Sequence, residues 1–187
     1  MNEIEEKEIK KYSTIWGFDS YRERSPGLRF VEQAMEMLQP APNSSIIDLG
    51  CGTGRVANYF KMKGLNTTAL DLVDNACNEF DGPFIKAPLW RLDDIGSYDF
   101  GFCADVMEHL PTELVDDALY QISKHCNRVY FQIANFHDHE GDKIGESLHL
   151  TVKPFSWWAL LIKSYFKVTN SKLAPKHHVF VCKSLRF

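Results

Sequence analysis

The chain predicts an α/β fold: a three-layer, doubly wound sheet of seven mostly parallel strands. Three observations carry this expectation. Residues 46–49 are a short apolar run that breaks at Gly50-Cys51-Gly52-Thr53-Gly54 and resumes as a helical face through Phe60. Strand-length apolar runs then alternate with helical faces along the chain, the pattern of βα units. The last two strand-like runs, 166–173 and 178–184, are separated only by the polar turn 172–177, which reads as an antiparallel hairpin at the sheet edge.

Residues 1–11 form a charged lead with helical potential. Tyr12, Trp16 and Tyr21 follow with Arg22 and Arg24, a dense set of aromatics and arginines ahead of the first strand. Either they cover one edge of the core or they lie over a ligand, and the residues leave both readings open. Leu28, Val31, Ala34, Met35 and Leu38 share one helical face, so a helix is expected over 28–38, ended by Pro40 and Pro42. After the glycine turn, Val56, Tyr59, Phe60 and Lys63 mark a helix that Gly64 terminates. Strands are expected at 65–72, ending in Asp71, at 83–87 and at 98–105. Thr112 is the expected N-cap of a helix reaching His125, and 128–134 reads as the fifth strand. Pro154 suits a helix start; Phe155, Trp158, Leu161, Ile162 and Tyr165 give its buried face and leave Trp157 off that stripe, free to face a crevice.

Glycine is required where the chain turns sharply or where a ligand approaches the backbone, and the N–H groups of a helix start can receive an anionic group. The spacing here is G-x-G-x-G, with Asp48 before it and no Lys-Ser/Thr after it. That excludes both the dinucleotide fingerprint and the phosphate-cradling loop. Asp48, Gly50, Gly52 and Gly54 resemble the first motif of class I S-adenosylmethionine-dependent methyltransferases, of the small single-domain type. A second phrase, Asp105-Val106-Met107-Glu108-His109-Leu110-Pro111, resembles the V-x-E-H-x-P segment of small-molecule members of that class.

The resemblance implies the strand order 3-2-1-4-5-7-6 with the last strand antiparallel, a core over 44–187, and residues 1–43 as a helical lid within one domain overall. It implies S-adenosylmethionine as cofactor, converted to S-adenosylhomocysteine. By resemblance Asp48, Gly50 and Gly52 hold the methionine end, Arg22 meets the carboxylate, Trp16 or Tyr21 walls the acceptor site, and Asp71 takes the ribose, with Asp74 its substitute should the register shift. Leu72, Leu89 and Trp90 flank the adenine. The acid that often ends the third strand is absent at Ala87-Pro88, with Asp93 or Asp94 as substitutes. Asp105, which borders cofactor and acceptor alike, His109 and His149 are the catalytic candidates, with Asn135 and Trp157 near the acceptor. His109 serves either as a base or as a brace for its loop, since an imidazole titrates near neutrality.

Composition narrows the acceptor. The net charge of -4 and pI near 6.0 offer no basic excess for a phosphate backbone, so a nucleic-acid partner is not expected. Neither [DNS]-P-P-[YFW] nor Pro-Cys, the marks of the DNA-methylating relatives, occurs in the chain. A small-molecule acceptor is therefore expected. The adjacent His137, Asp138, His139 and Glu140 lack the spacing of a closed metal site, and no metal ligand is assigned. Five scattered cysteines without a C-x-x-C pair fit a reducing compartment. With no apolar leader at the start and no apolar stretch long enough to span a bilayer, a cytoplasmic protein away from membranes is expected. Two other uses of the fold stay open: chemistry with S-adenosylmethionine other than methyl transfer, and a non-catalytic partner subunit.

Overall fold

The computed structural model describes residues 3–187; the first two residues of the charged lead lie outside them. The elements run α1 (Glu3–Ile15), α2 (Asp19–Arg22), α3 (Val31–Leu38), β1 (Ser45–Leu49), α4 (Arg55–Met62), β2 (Asn66–Asp71), β3 (Phe84–Lys86), β4 (Tyr98–Ala104), α5 (Val115–His125), β5 (Cys126–Ala134), α6 (Phe155–Ile162), β6 (Phe166–Leu173) and β7 (His177–Ser184). The seven strands form one sheet in the order β3-β2-β1-β4-β5-β7-β6. β1 pairs in parallel with β2 and β4, while β7 is antiparallel to β5 and β6. This is the expected α/β, three-layer, doubly wound order.

Alternation explains the layering. In β1, Ile47 and Leu49 point to the face covered by α5 and α6, and Ile46 points to the face covered by α3 and α4. In β5, Val129, Phe131 and Ile133 join the first face and Tyr130 the second. Central parallel strands buried on both sides must be apolar almost throughout, which is why β4 and β5 read as continuous hydrophobic runs.

Three elements depart from expectation. The helix expected over 28–38 is split: Pro26–Arg29 is a 3-10 turn, Leu28 is exposed, and α3 begins at Val31. Proline contributes no N–H there, and Gly27 lies so close to α4 and β4 that a methyl group on it would sit 3.2 Å from Val56 and 3.4 Å from Phe102. Thr112 does not cap α5. It opens a 3-10 turn, Thr112–Leu114, and its hydroxyl meets Thr151 Oγ1 at 2.8 Å. β5 starts at Cys126, directly where α5 stops, because Cys126 already pairs with Tyr98 across β4.

α1 packs across the carboxyl ends of the strands. Ile15 and Trp16 are buried against Val73, Ala76 and Leu148, which ties the N-terminal helix to the loops after β2 and β5. In a doubly wound sheet that edge is where ligands bind.

Candidate active site at the carboxyl ends of the strands

The glycine loop is shaped by backbone. Gly50 and Cys51 both donate to Leu70 O, at 2.8 and 2.9 Å, which fastens the loop to β2. Gly50 has φ 77° and Gly52 has φ 53°, conformations that disfavour any residue with a Cβ. A methyl group at Gly50 would lie 2.5 Å from Val106 Cγ2, and one at Gly52 would lie 2.9 Å from the Trp16 ring. The loop is therefore covered on one side by the turn after β4 and on the other by the N-terminal segment.

Two carboxylates flank the loop. Asp71, at the end of β2, accepts from Gly52 N at 3.0 Å and from Val73 N at 3.3 Å. Burial pushes its carboxyl up to about 6, against the N–H groups of Gly52, Val73 and Leu72 that favour the charged form. Asp48, in β1, is 2% exposed and its Oδ2 has no hydrogen-bond partner. Burial raises its carboxyl too, and the nearby Asp71 charge adds to that. Asp74, the alternative to Asp71, is at the surface paired with Lys86 at 3.2 Å, so the register holds at Asp71.

Two cavities open from this loop. The first is walled by Asp71, Leu72, Ala87, Leu89 and Trp90, a largely apolar slot. The second runs along Asp48, Thr53, Gln132, Phe136 and His149. Trp16, Tyr21, Gly50, Asp105 and His109 border both and mark the junction. Three orphaned buried oxygens belong to residues of the second cavity: Asp48 Oδ2, Thr53 Oγ1 and Gln132 Oε1. Buried polar atoms without partners are costly, and a polar ligand in that cavity would supply the missing bonds.

The junction carries the catalytic candidates. Asp105 follows β4 with φ 61°, an uncommon backbone for a non-glycine residue, and its N–H donates to Gln132 O at 3.0 Å. Burial raises its carboxyl, opposed first by His149. Glu108 is fully buried; Ala134 N donates to its Oε1 at 2.6 Å, while Oε2 is without a partner. Burial, and then Asp105, push the Glu108 carboxyl well up. His109 and His149 meet edge to face with ring centroids 4.6 Å apart. His109 Nδ1 lies 2.9 Å from the Tyr12 hydroxyl, and His149 Nδ1 lies 2.7 Å from Phe136 O. Burial, helped by His149 and Lys11, holds His109 well below the usual imidazole range, so it is neutral at pH 7.

Several expected residues lie elsewhere. Arg22 does not border either cavity; its guanidinium donates to Asn75 O, and to Ala76 O at 3.3 Å. Arg24 and Arg29 border the second cavity instead, Arg24 paired with Glu140 at 2.6 Å. Trp157 packs edge to face on Trp158 at 4.9 Å, beneath Lys153, and is outside both cavities. The Asn135 side chain turns to the β6–β7 turn, where its amide donates to the Pro175 and Lys176 carbonyls at 3.2 and 2.9 Å. Asp93 and Asp94 are exposed, Asp93 facing Arg91, and neither replaces the missing acid of β3. In the loop after β5, Asp138 accepts from the N–H groups of Glu140 and Gly141, and His139 faces Asp142, an internally satisfied turn. Tyr12, Glu108 and Gln132 were not singled out as site residues by sequence reasoning. Glu108 had a visible signal, standing three residues after Asp105 and beside His109.

Comparison with known proteins supplies the family. The family model described as a methyltransferase domain matches residues 18–165. Ubiquinone biosynthesis O-methyltransferase of Rickettsia bellii is 26% identical over 129 residues, covering 59% of this chain and 54% of the relative. The Rickettsia typhi protein of that name is 26% identical over 130 residues, covering 59% and 52%. The chain thus spans about half the length of the curated relatives it matches. Among solved structures, Burkholderia thailandensis 1,6-didemethyltoxoflavin-N1-methyltransferase, with bound 1,6-didemethyltoxoflavin and S-adenosylhomocysteine, superposes with a TM-score of 0.70 at 18% identity, covering 96% of this chain and 86% of that one. Magnesium protoporphyrin IX methyltransferase of Synechocystis PCC 6803, with bound S-adenosylhomocysteine, gives 0.69 at 16% identity, covering 95% and 94%. At these identities the structures speak for the fold alone, and the family match extends over most of the chain. The chain belongs to the methyltransferase-domain family.

Proposed function

We propose that the protein transfers the methyl group of S-adenosylmethionine to an oxygen or nitrogen nucleophile on a small molecule. One observation carries this reading: the glycine loop, flanked by Asp48 and Asp71, opens where two cavities meet, and Asp105 and His109 stand at that junction. The residues fit the cofactor. Asp48, Gly50, Gly52 and Thr53 would hold its methionine end with orphaned buried oxygens and a loop free of Cβ atoms. Asp71 retains lone pairs for ribose hydroxyls beyond the two N–H groups it accepts. Leu72, Leu89 and Trp90 offer apolar walls to the adenine.

The bound cofactor supplies an electrophilic sulfonium methyl. The protein's part is to align the acceptor with it and exclude water, an effect of positioning. Asp105 and His109 orient the acceptor from the junction. His109, neutral at pH 7, has Nε2 available to take the acceptor's proton when its Nδ1–H donates to Tyr12. Residues 1–43 act as a lid, with Tyr12 and Trp16 reaching the junction from α1 and the turn after it. A small acceptor accords with the acidic net charge and with the named activity of the curated relatives. Five free cysteines, four of them buried, accord with a cytoplasmic setting; no helix among the described residues is long and apolar enough to cross a membrane.

Calorimetric titration with S-adenosylmethionine, S-adenosylhomocysteine and NAD tests this directly. Micromolar binding of the first two with no NAD signal is expected, and loss of both in Gly52→Leu with an unchanged circular-dichroism spectrum. Unchanged affinity in that variant would overturn the site assignment.

A further inference from the structure

We propose that Asp105, Glu108, His109 and His149 form a binding site for a first-row divalent transition ion, zinc or manganese, at the cavity junction. One ligand atom from each of the four lies within 4.8 Å of the others. Ligands about 2.1 Å from a tetrahedral zinc stand about 3.4 Å apart, so closure on an ion asks for adjustments of about an ångström.

The surroundings are built for this. The Phe136 carbonyl can only accept, so His149 Nδ1 carries its hydrogen and Nε2 presents a lone pair. Metal-bound imidazoles are characteristically oriented by such a bond from the opposite nitrogen. His109 Nδ1 meets the Tyr12 hydroxyl, which can accept as well as donate; in the tautomer whose Nδ1–H donates to Tyr12, Nε2 is left for an ion. Glu108 keeps one oxygen on Ala134 N and leaves Oε2 buried without a partner, an acceptor that an ion would satisfy. Two more bonds hold the segments in register: Thr151 N donates to Glu108 O at 2.8 Å, and Thr151 Oγ1 to Leu110 O at 2.7 Å. His149 is thereby tied to the turn that carries Glu108 and His109.

The donor set selects the ion. Two imidazole nitrogens with two carboxylates suit zinc, manganese or iron(II), whereas calcium and magnesium favour all-oxygen shells. With a fifth coordination position open, the ion would bind the acceptor's hydroxyl oxygen and favour its ionisation, the proton leaving to solvent, with His109 then a ligand rather than a base. That use rests on the methyl-transfer reading; the binding itself does not.

The test uses chelator-treated full-length protein titrated with ZnCl2, MnCl2 and MgCl2 by calorimetry, with CoCl2 as a visible-absorption probe. One zinc or manganese ion per chain is expected at micromolar or better affinity, with magnesium at least tenfold weaker. Glu108→Gln, which keeps an oxygen for Ala134 N, and His149→Ala should each weaken zinc at least tenfold and change the cobalt spectrum. His139→Ala, in the exposed loop, should leave both unaltered. S-adenosylhomocysteine affinity, measured on the same samples, separates the two ideas. Retained cofactor affinity without ion binding overturns the metal site alone. Ion binding lost in the two site variants, in a protein with no cofactor affinity, supports the metal site and removes the methyl-transfer reading. Zinc affinity unchanged in both site variants would mean surface binding, and the proposal would fall.

Discussion

The two halves of the site are held in different ways. The cofactor half, β1 through the end of β2, is fixed by main chain: Gly50 N and Cys51 N on Leu70 O, and Gly52 N on Asp71. Its critical residues lie within 48–54 and at 71. The acceptor half is assembled from side chains of four distant segments: Tyr12 from α1, the turn after β4, Phe136 after β5, and His149 before α6. Backbone geometry restricts residue type position by position, whereas a side-chain cluster tolerates many solutions. The first half should therefore fail abruptly under substitution, and the second by degrees.

Gly50→Val is the harshest break of this contrast. It adds strain at φ 77°, about 1–2 kcal/mol, and a clash with Val106, about 1–3 kcal/mol. We expect a loss of about 3 kcal/mol in urea denaturation and no measurable S-adenosylhomocysteine binding by calorimetry. Val106→Ala in the same chain should recover the clash but not the strain, so stability returns in part and binding does not. Full recovery of both would show that the loop's backbone is not what holds the cofactor.

Asp71→Asn separates function from stability inside the cofactor half. Losing a charge-assisted bond costs about 1.5–3 kcal/mol, so cofactor affinity should fall at least tenfold. Stability should move the other way with pH. The folded Asp71 carboxyl is raised from 3.8 to about 6, so its contribution is fully present below pH 4 and lost as pH rises to 6 and beyond. Asp71→Asn cannot ionise, and between pH 4 and 7 it should lose on the order of 2 kcal/mol less stability than the parent. Urea midpoints across that range check it; parallel curves would mean that Asp71 is not held protonated by burial.

The same contrast governs what the sequence revealed. The strands and the Gly50–Gly54 loop were legible because apolar patterning and positive φ leave marks on residue type, whereas the sheet order came from the family resemblance that the loop carries. Asp71 was legible because it ends a strand whose length the pattern sets. Arg22 was misplaced because a guanidinium's reach does not specify its partner, and Asn75 and Ala76 carbonyls hold it. Trp157 was misplaced because leaving one stripe of α6 did not expose it; Trp158 and Lys153 cover it. Asp105, His109 and His149 were named through the family resemblance, but Glu108 and the meeting of all four were not, because His149 stands forty or more positions after the other three and no local period records such a pairing. The 28–38 helix failed at Pro26-Gly27, where close packing on α4 and β4 overrode a continuous apolar stripe.

Tyr12→Phe probes the acceptor half and should be the mildest break. It removes one hydroxyl that meets His109 at 2.9 Å and keeps the ring against Ile15 and Trp16's cluster. A net hydrogen bond is worth about 1 kcal/mol, so stability should fall by that much at most. With its Nδ1 partner gone, the His109 ring is less well oriented, and kcat for the acceptor should fall several-fold while S-adenosylhomocysteine affinity changes less than twofold. Trp157→Leu supplies the matched control: it thins packing on α6 but touches neither cavity, so stability drops and kcat stays. If Tyr12→Phe instead lowers cofactor affinity as sharply as Asp71→Asn does, the lid belongs to the cofactor half. The division between a backbone-built and a side-chain-built half would then run through α1 itself, because one hydroxyl would be setting the geometry of both.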